Sequence, residues 1–247
     1  MSRLTLKSAR EEILAKVAAS TASRPAPTPA DIERPQDTGI GRAEPIKRPG
    51  QEAPAELIKQ LETELTRVGA CFHIASDSIA ACDYIRGLLA KDGRQNPVVA
   101  WRDPIIHELG IVDALAEAGA QLFLDDDPGT PDEFTARSAR AGIGISGVDY
   151  ALADSGTLVV FSGSGRARSV SLLPPVHVAI LKPEQIVSGL DDLFSVLGAE
   201  SVDGNGLASA ITFITGPSRT GDIEMTLVVG VHGPQQLHVI LLATNPA

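Results

Sequence analysis

PVVAWRDPIIHELGIVDALAEAGAQLFL, residues 97–124, is the stretch from which we predict the fold of this chain. The apolar run PVVAW at 97–101 is typical of a buried strand. Asp103 is a helix-capping residue, and Pro104 suits the first helical turn, so a helix is predicted to run on through LGIVDALAEAG. QLFL at 121–124 is the next strand. A strand, a helix and a second strand in this order indicate a parallel βαβ unit.

The same alternation continues on both sides of this unit. Helices are predicted at 54–68, at 77–89 and over EFTARSARA, with a short strand, CFHIA, at 71–75. The second half holds one clear helix, around 190–198, and five strand-like segments. These are GTLVVFSG (156–163), VHVAIL (176–181), SAITFIT (209–215), EMTLVVGV (224–231) and LHVILL (237–242). We therefore predict an α/β fold with a mixed, largely parallel sheet and flanking helices, whose later part is mixed or antiparallel.

Composition divides the chain into three parts. Residues 1–20 are predicted to form an N-terminal helix, and residues 21–52, which carry six prolines, an extended linker. Residues 53–247 are predicted to form the α/β domain. The net charge is +2 over residues 1–52 and −12 over the remainder. The N-terminal arm is interpreted either as a flexible terminus or as a tether whose helix docks on a partner subunit.

Charge and cysteine content exclude several classes of function. The net charge of −10 argues against a nucleic-acid partner, because phosphate binding requires clustered Lys and Arg. Cys71 and Cys82, without a CxxC motif, cannot by themselves ligate an iron–sulfur cluster or build a four-cysteine zinc site, and no metal site is predicted. No apolar run approaches the roughly 18 residues of a membrane span, and the first 20 residues lack a signal-peptide pattern. We expect a soluble, cytoplasmic protein without a membrane span.

Polar residues crowd the segment GPSRTGDIEMTLVVGVHGP, residues 216–234. Ser218 and Thr220 can cap exposed N–H groups, and Arg219 can bind an anion with two parallel hydrogen bonds. Gly216 and Pro217 end a predicted strand, so residues 218–222 are predicted to form a loop or one helical turn at that strand end. Strand ends bind ligands in open α/β sheets. His232 lies in the turn after the next strand. We predict that Ser218, Arg219, Thr220 and His232 contact a ligand.

The same segment holds two carboxylates, Asp222 and Glu224, on either side of Ile223. If the segment is extended, both carboxylates point to one face. Two close carboxylates raise the pKa of one of them, which suits general acid–base chemistry, so Glu224 and Asp222 are the candidate catalytic residues. In the alternative interpretation, Arg219 forms a structural ion pair with one of them.

A second polar cluster lies between residues 153 and 177. The loop SGSGRARS, residues 162–169, combines glycine backbone N–H groups and serine hydroxyls with Arg166 and Arg168, as binding of an anion requires. The alternative is a polar crossover loop that needs glycine for its backbone. His177 follows two prolines, and either points into a cleft or is satisfied by a neighbour at the start of a strand. The candidate ligand contacts in this cluster are Asp154, Thr157, Ser162, Arg168 and His177.

Three glycines, Gly142, Gly144 and Gly147, match the GxGxxG pattern of dinucleotide-binding loops. Here the pattern follows a predicted helix rather than a strand, and its isoleucines are themselves predicted to form a strand. We therefore assign these glycines a structural role.

Two blocks of the sequence resemble the LUD-domain superfamily, specifically the lactate-utilisation protein C family. They are ISGVDYALADSGTLVVFSGSGRARSVSLLPPVHVAILKPEQIV, residues 145–187, and GPSRTGDIEMTLVVGVHGPQQLHVILL, residues 216–242. Gly221 stands where the pattern has alanine, and Ser155 where it has threonine. The resemblance implies an α/β fold of the isomerase and CoA-transferase-like type (NagB/RpiA/CoA transferase-like). It also implies a part in bacterial oxidation of L-lactate to pyruvate, beside companion proteins with iron–sulfur motifs, and carries no established catalytic residue.

We expect a non-cluster subunit or accessory protein of an iron–sulfur L-lactate oxidation system. It would bind a small anionic metabolite, either lactate- or pyruvate-like or phosphorylated. Iron–sulfur clusters, and no cofactor of this chain's own, are expected on its partner proteins, and a homo-oligomer is left open. One alternative is a stand-alone enzyme on small anionic metabolites, of the sugar-phosphate isomerase or acyl- and CoA-transfer type, with Glu224 as base or nucleophile. The other is a binding or regulatory module.

Overall fold

A computed structural model describes residues 15–16, 55–92, 96–125, 127–202, 210–221 and 227–243. The chain divides into two units, Met1–Pro45 and Ile46–Ala247. Apart from Ala15 and Lys16, which are helical, every described residue belongs to the second unit. The rest of the predicted N-terminal helix and the predicted linker at 21–52 lie outside the described residues and stay predictions.

Six strands of the second unit form a parallel sheet in the order β1-β12-β7-β4-β2-β3. Every neighbouring pair in it is parallel. The strands are β1 (Cys71–Ala75), β2 (Val98–Ala100), β3 (Leu122–Leu124), β4 (Ile143–Gly147), β7 (Val176–Leu181) and β12 (Gln236–Leu242). The predicted largely parallel sheet is confirmed, and so is the assignment of the GxGxxG isoleucines to a strand, β4.

The helices flank this sheet, as predicted. They are Ala55–Arg67, Ser78–Asp92, Pro104–Glu108, Ile111–Glu117, Pro131–Ser138, Ser169–Leu172 and Leu190–Val202. The single helix predicted after β2 is wrong, because Gly110 has a φ of 64°, a left-handed conformation that ends the first helix and precedes the second. The predicted cap is present, since Oδ1 of Asp103 accepts a hydrogen bond from the backbone N–H of Ile105 at 3.1 Å.

Four other strands form a second sheet in the order β8-β5-β6-β9. They are β5 (Tyr150–Leu152), β6 (Thr157–Ser162), β8 (Ile186–Val187) and β9 (Ala210–Ile214). Strand β6 pairs antiparallel with β5 and β9, whereas β5 and β8 are parallel. The strands of the second half therefore do not extend the first sheet as a single mixed part. Strands β7 and β12 belong to the parallel sheet, whereas β5, β6, β8 and β9 form a sheet of their own.

The segment after β9 also differs from the prediction. A loop or helical turn was expected at 218–222, but β10 (Arg219–Gly221) is a strand that pairs antiparallel with β11 (Leu227–Val229). The described part of the strand predicted at 224–231 is β11 alone, while residues 222–226 lie outside the described residues.

Strand β7 shows how the layers pack. Val178 and Ile180 face the core beneath the helices that follow β1 and β2, whereas Ala179 and Leu181 face the opposite side. On that side Leu65 of the first helix and strands of the second sheet complete the core. A parallel sheet covered on both faces keeps its polar ligand sites at the strand ends. No helix among the described residues is long and apolar enough to cross a membrane.

Candidate ligand-binding cleft

A cleft of about 410 Å³ lies at the carboxyl ends of three adjacent strands of the parallel sheet. Asp103 enters it after β2, Asp149 after β4 and Lys182 after β7. Arg166 reaches it from the loop after β6, in the second sheet. The carboxyl ends of parallel strands are where open α/β sheets bind ligands, so this cleft is the candidate functional site.

Arg166 is the centre of the cleft floor. Its Nη2 donates to Oδ2 of Asp103 at 2.6 Å, and its Nη1 donates to Oδ1 of Asp149 at 2.7 Å. The guanidinium also lies over the ring of Trp101, with its Cζ 4.9 Å from the ring centroid. Burial by itself would lower the pKa of Arg166, but the hydrogen bonds that it donates to Asp103 and Asp149, together with their negative charges, outweigh burial and raise this pKa above its usual value. Arg166 is therefore a permanently charged bridge between two carboxylates.

Both carboxylates are also held from the backbone side. Asp103 caps the helix Pro104–Glu108, and Oδ2 of Asp149 accepts the backbone N–H of Phe161 at 2.6 Å. Gly147 allows the close approach of Asp103, because a Cβ at this glycine would lie 2.8 Å from Oδ2 of the aspartate. Each aspartate thus accepts a hydrogen bond from a backbone N–H with one oxygen and from Arg166 with the other. The three side chains therefore hold one another in place.

The rim of the cleft carries a looser ion pair. Nζ of Lys182 lies 3.1 Å from Oε2 of Glu108, and the two side chains are 35% and 60% exposed. The backbone of Lys182 is held in place, because its N–H donates to Oε1 of Gln185 at 2.6 Å and Nε2 of Gln185 donates to the carbonyl of Val148. The cleft therefore combines a fixed backbone with a half-buried lysine side chain whose exposed partner can be exchanged.

The predicted contacts of the 153–177 cluster lie outside this cleft. Arg168 is exposed at the start of the helix Ser169–Leu172, whereas its neighbour Arg166 lines the cleft. Ser162 ends β6 opposite Ala210. Thr157 is buried, and its hydroxyl lies 2.8 Å from that of Thr215.

Asp154 lies in a different depression. It is exposed and close to Gly189, in a hollow of about 460 Å³ that Asp191 and Asp192 also line. The walls of this hollow carry an excess of negative charge, which does not favour an anion.

His177 lies in the core and does not line the cleft. It is fully buried, and its Nε2 is 2.9 Å from the hydroxyl of Ser146. Its Nδ1 has no hydrogen-bond partner among the described residues. Burial lowers the pKa of His177 to about 4, so the ring is neutral at neutral pH. Of the two interpretations open from the sequence, this geometry is nearer to a histidine with a neighbouring partner, although in the part of the chain that the structure describes only Nε2 has one.

Ser218, Arg219 and His232 lie at the other end of the strands from the cleft, near the amino ends of β7 and β12. The N–H of Ser218 donates to the carbonyl of Pro234 at 2.9 Å, and Nη2 of Arg219 donates to the carbonyl of Val68 at 2.7 Å. His232 is exposed in the loop before β12.

The remaining predicted contacts are less fully described. Thr220 belongs to β10, and the structure describes only its backbone. Asp222 and Glu224 lie outside the described residues, so their catalytic role stays a prediction.

The sequence interpretation did not select Asp149 or Lys182 and treated Asp103 only as a helix cap. A signal was nevertheless present, because each residue follows a short apolar strand within three positions. Polar residues placed directly after parallel strands converge at one edge of the sheet. Among the described residues, no group of three or more His, Cys, Asp and Glu side chains is arranged to hold a metal ion.

Comparison with known proteins agrees with this architecture. Among solved structures, a DUF162 family protein from Deinococcus radiodurans has the same fold, with a TM-score of 0.51 and 22% identity over 76% of this chain and 98% of that chain.

Three curated relatives are named lactate utilization protein C. The protein of Halalkalibacterium halodurans is 31% identical over 205 residues, 83% of this chain and 86% of its own length. That of Geobacillus is 33% identical over 76% of this chain and 78% of its own length, and that of Bacillus subtilis 35% identical over 69% and 72%. Residues 58–242 match the family model of the LUD domain. The chain therefore belongs to the LUD domain family, and its predicted resemblance to lactate utilization protein C is confirmed.

Proposed function

We propose that this chain is a cluster-free component of a lactate utilisation system and binds a small anionic metabolite in the cleft at the carboxyl ends of β2, β4 and β7. The names and the long alignments of its relatives support the first part. Its two cysteines, Cys71 and Cys82, support the proposal that iron–sulfur clusters belong to partner proteins rather than to this chain.

The convergence of Arg166 and Lys182 on the cleft carries the second part of the proposal. Recognition of a small anion requires N–H donors and positive charge inside a concave site. Lys182 supplies such a donor at the rim of the cleft, and Arg166 adds positive charge on its floor. The cleft lies where the fold places ligand sites, whereas Arg168 and Arg219 are exposed outside it.

The cleft favours binding over proton transfer. Asp103 and Asp149 are each engaged by Arg166 and by a backbone N–H. Both oxygens of each carboxylate therefore already accept a hydrogen bond, and neither is free to take a proton from a substrate. These residues therefore suit the positioning of a cation better than general base catalysis.

Deletion of the gene in its host tests the role in lactate utilisation. In a strain without another L-lactate dehydrogenase, we expect the deletion to abolish growth on L-lactate but not on glucose, and the intact gene to restore it. Normal growth of the deletion strain on L-lactate would overturn this role. Purification of the tagged chain from lactate-grown cells tests the partner assignment, and absence of co-purifying iron–sulfur proteins would overturn it.

Thermal unfolding of the full chain tests anion binding separately. We expect L-lactate, pyruvate or inorganic phosphate to raise the melting temperature progressively with concentration, because a ligand of the folded state stabilises it by mass action. Sodium chloride at equal ionic strength is the control. An equal effect of chloride and of all three anions would contradict a specific site.

A further inference from the structure

We infer that Lys182 is the residue that binds the anion, and that Glu108 occupies it in the free protein until a monocarboxylate displaces it. This inference rests on the proposed function and narrows it, because it names the residue that receives the ligand and the class of anion that fits.

Arg166 is poorly suited to receive an anion because its two terminal nitrogens already hold two carboxylates, which share its single positive charge. They bind Asp103 and Asp149 at 2.6 and 2.7 Å, and both aspartates are anchored to backbone N–H groups on their other oxygens. An anion bound through the remaining N–H groups of Arg166 would lie beside both aspartates, and their negative charges would repel it.

Lys182 is in the opposite situation. Its ammonium pairs with the carboxylate of Glu108 at 3.1 Å, and the side chain of Glu108 is 60% exposed. Exposed ion pairs of this kind contribute little to stability, and Glu108 can turn into water and regain full hydration. An incoming carboxylate then makes the same contact with Lys182, and one carboxylate replaces another at the same ammonium group.

The surroundings of Lys182 permit this exchange without a change of the backbone. Gln185 accepts the N–H of Lys182 and donates to the carbonyl of Val148, which holds the segment after β7 against the end of β4. Glu108 is at the end of the helix Pro104–Glu108, whose start is capped by Asp103. Only the two side chains have to move.

The charges of the cleft select among anions. With Glu108 turned outward, the side chains lining the cleft that carry a formal charge at neutral pH are Asp103, Asp149, Arg166 and Lys182, and their charges cancel. A monocarboxylate adds one negative charge beside the two aspartates, whereas a phosphate dianion adds two. Because like charges repel strongly in a partly buried site, a monocarboxylate is favoured over a phosphorylated ligand.

Isothermal titration calorimetry of the full-length chain with sodium L-lactate, sodium pyruvate and inorganic phosphate tests the inference. We expect Glu108→Gln to bind the carboxylates more tightly than the wild type, by up to about fivefold, because the competing charge is gone. We expect Lys182→Met to bind them about ten- to a hundredfold more weakly, since a charge-assisted hydrogen bond is lost. Inorganic phosphate should bind more weakly than either carboxylate.

Two matched controls lie on the exposed face of the helix Ala55–Arg67. Glu62→Gln and Lys59→Met make the same chemical changes away from the cleft and should bind as the wild type does. Circular dichroism and the urea midpoint of each variant check that it is folded. Unchanged or weaker carboxylate binding by Glu108→Gln, wild-type binding by Lys182→Met, or phosphate binding as tight as carboxylate binding would each overturn the inference.

The outcomes also separate this inference from the proposed function. If Lys182→Met restores growth of the deletion strain on L-lactate and binds carboxylates normally, the assignment of Lys182 is wrong while the role in lactate utilisation stands. If neither the wild type nor Glu108→Gln binds any carboxylate, anion binding at this cleft is wrong as well. Growth of the deletion strain on L-lactate then decides the lactate role independently.

Discussion

Nη2 of Arg166 lies 2.6 Å from Oδ2 of Asp103, and this ion pair joins the loop after β6 to the end of β2. The two strands belong to different sheets, so the contact fastens the second sheet to the parallel sheet across the cleft floor. Asp149, between β4 and β5, pairs through Oδ1 with Nη1 of the same guanidinium. The cleft floor is therefore both a candidate binding surface and a structural tie.

Replacement of Arg166 by Met should destabilise the protein. The side chains of Asp103 and Asp149 are only 8% and 15% exposed, and without Arg166 they face each other as unpaired charges. Removal of one partner from a buried ion pair costs about 3–5 kcal/mol, and we expect about 3 kcal/mol because Arg166 itself is 27% exposed. The free energy of unfolding in urea measures this change.

Arg168→Met is the matched control for this prediction. Arg168 is two residues away in the same loop and is exposed, so the same substitution should change the free energy of unfolding by less than about 0.5 kcal/mol. Equal effects of the two substitutions would show that the bridge between the aspartates contributes nothing to stability.

His177 should make the protein less stable in acid. Its pKa is about 4 in the folded protein, because of burial, against a usual value of 6.5. Between these pH values the unfolded chain binds a proton that the folded protein does not, so the contribution is complete above pH 6.5 and is lost as the pH falls towards 4. One such group lowers the free energy of unfolding by up to about 1.4 kcal/mol per pH unit in this window.

Urea unfolding of His177→Asn between pH 4 and 7 checks this prediction. Whatever its stability at neutral pH, this variant should show a weaker dependence of the unfolding free energy on pH than the wild type. The two slopes should differ by up to the uptake of one proton on unfolding, about 1.4 kcal/mol per pH unit. The exposed His232, replaced by Asn, is the control and should keep the wild-type slope. The prediction fails if His177→Asn keeps that slope too.

Gly144 should not tolerate a side chain. A Cβ at this position in β4 would meet the backbone carbonyl of Val170 and lie 3.0 Å from Cγ of Pro174. We expect Gly144→Ala to lower the free energy of unfolding by about 2–3 kcal/mol, the upper range for overpacking.

Gly87→Ala provides a control with the opposite sign. Gly87 lies inside the helix Ser78–Asp92, and a Cβ added there would meet open space. Alanine should therefore stabilise the protein by about 0.5–1 kcal/mol. Thermal melts of both variants decide between the signs, and a stabilising Gly144→Ala would contradict the close approach of Val170.

Arg219 should act in stability rather than in binding at the cleft. It donates to the carbonyl of Val68 and so ties the start of β10 to the end of the first helix. We expect Arg219→Met to cost about 1 kcal/mol and to leave the affinity for pyruvate unchanged. The exposed Arg140, replaced by Met, is the control for stability. A fall in pyruvate affinity in Arg219→Met would instead support the anion contact predicted from the sequence.

Much of the fold could be predicted because its signals are local. The strands CFHIA and VHVAIL occur at the predicted residues, and the cap at Asp103 is formed within the three residues that follow it. Hydrophobic periodicity and capping depend on neighbours a few positions apart, which a single sequence displays directly. The break at Gly110 was missed, since an isolated glycine in an apolar helical pattern does not by itself specify a left-handed conformation.

The grouping of polar residues into a cleft could not be predicted in the same way. Asp103, Asp149 and Lys182 are separated by more than thirty positions from one to the next, and they meet only because β2, β4 and β7 are neighbours in the sheet. Strand order arises from packing between distant segments, and no local pattern records it.

Local patterns in the chain therefore accounted for its class, its family resemblance and most of its helices and strands. The tertiary fold alone separated Arg166 from Arg168, placing the first between two buried aspartates and the second in solvent. The physical reason is that propensity and periodicity act over a few residues, whereas the partner of a charged side chain depends on which strand ends the packed core brings together.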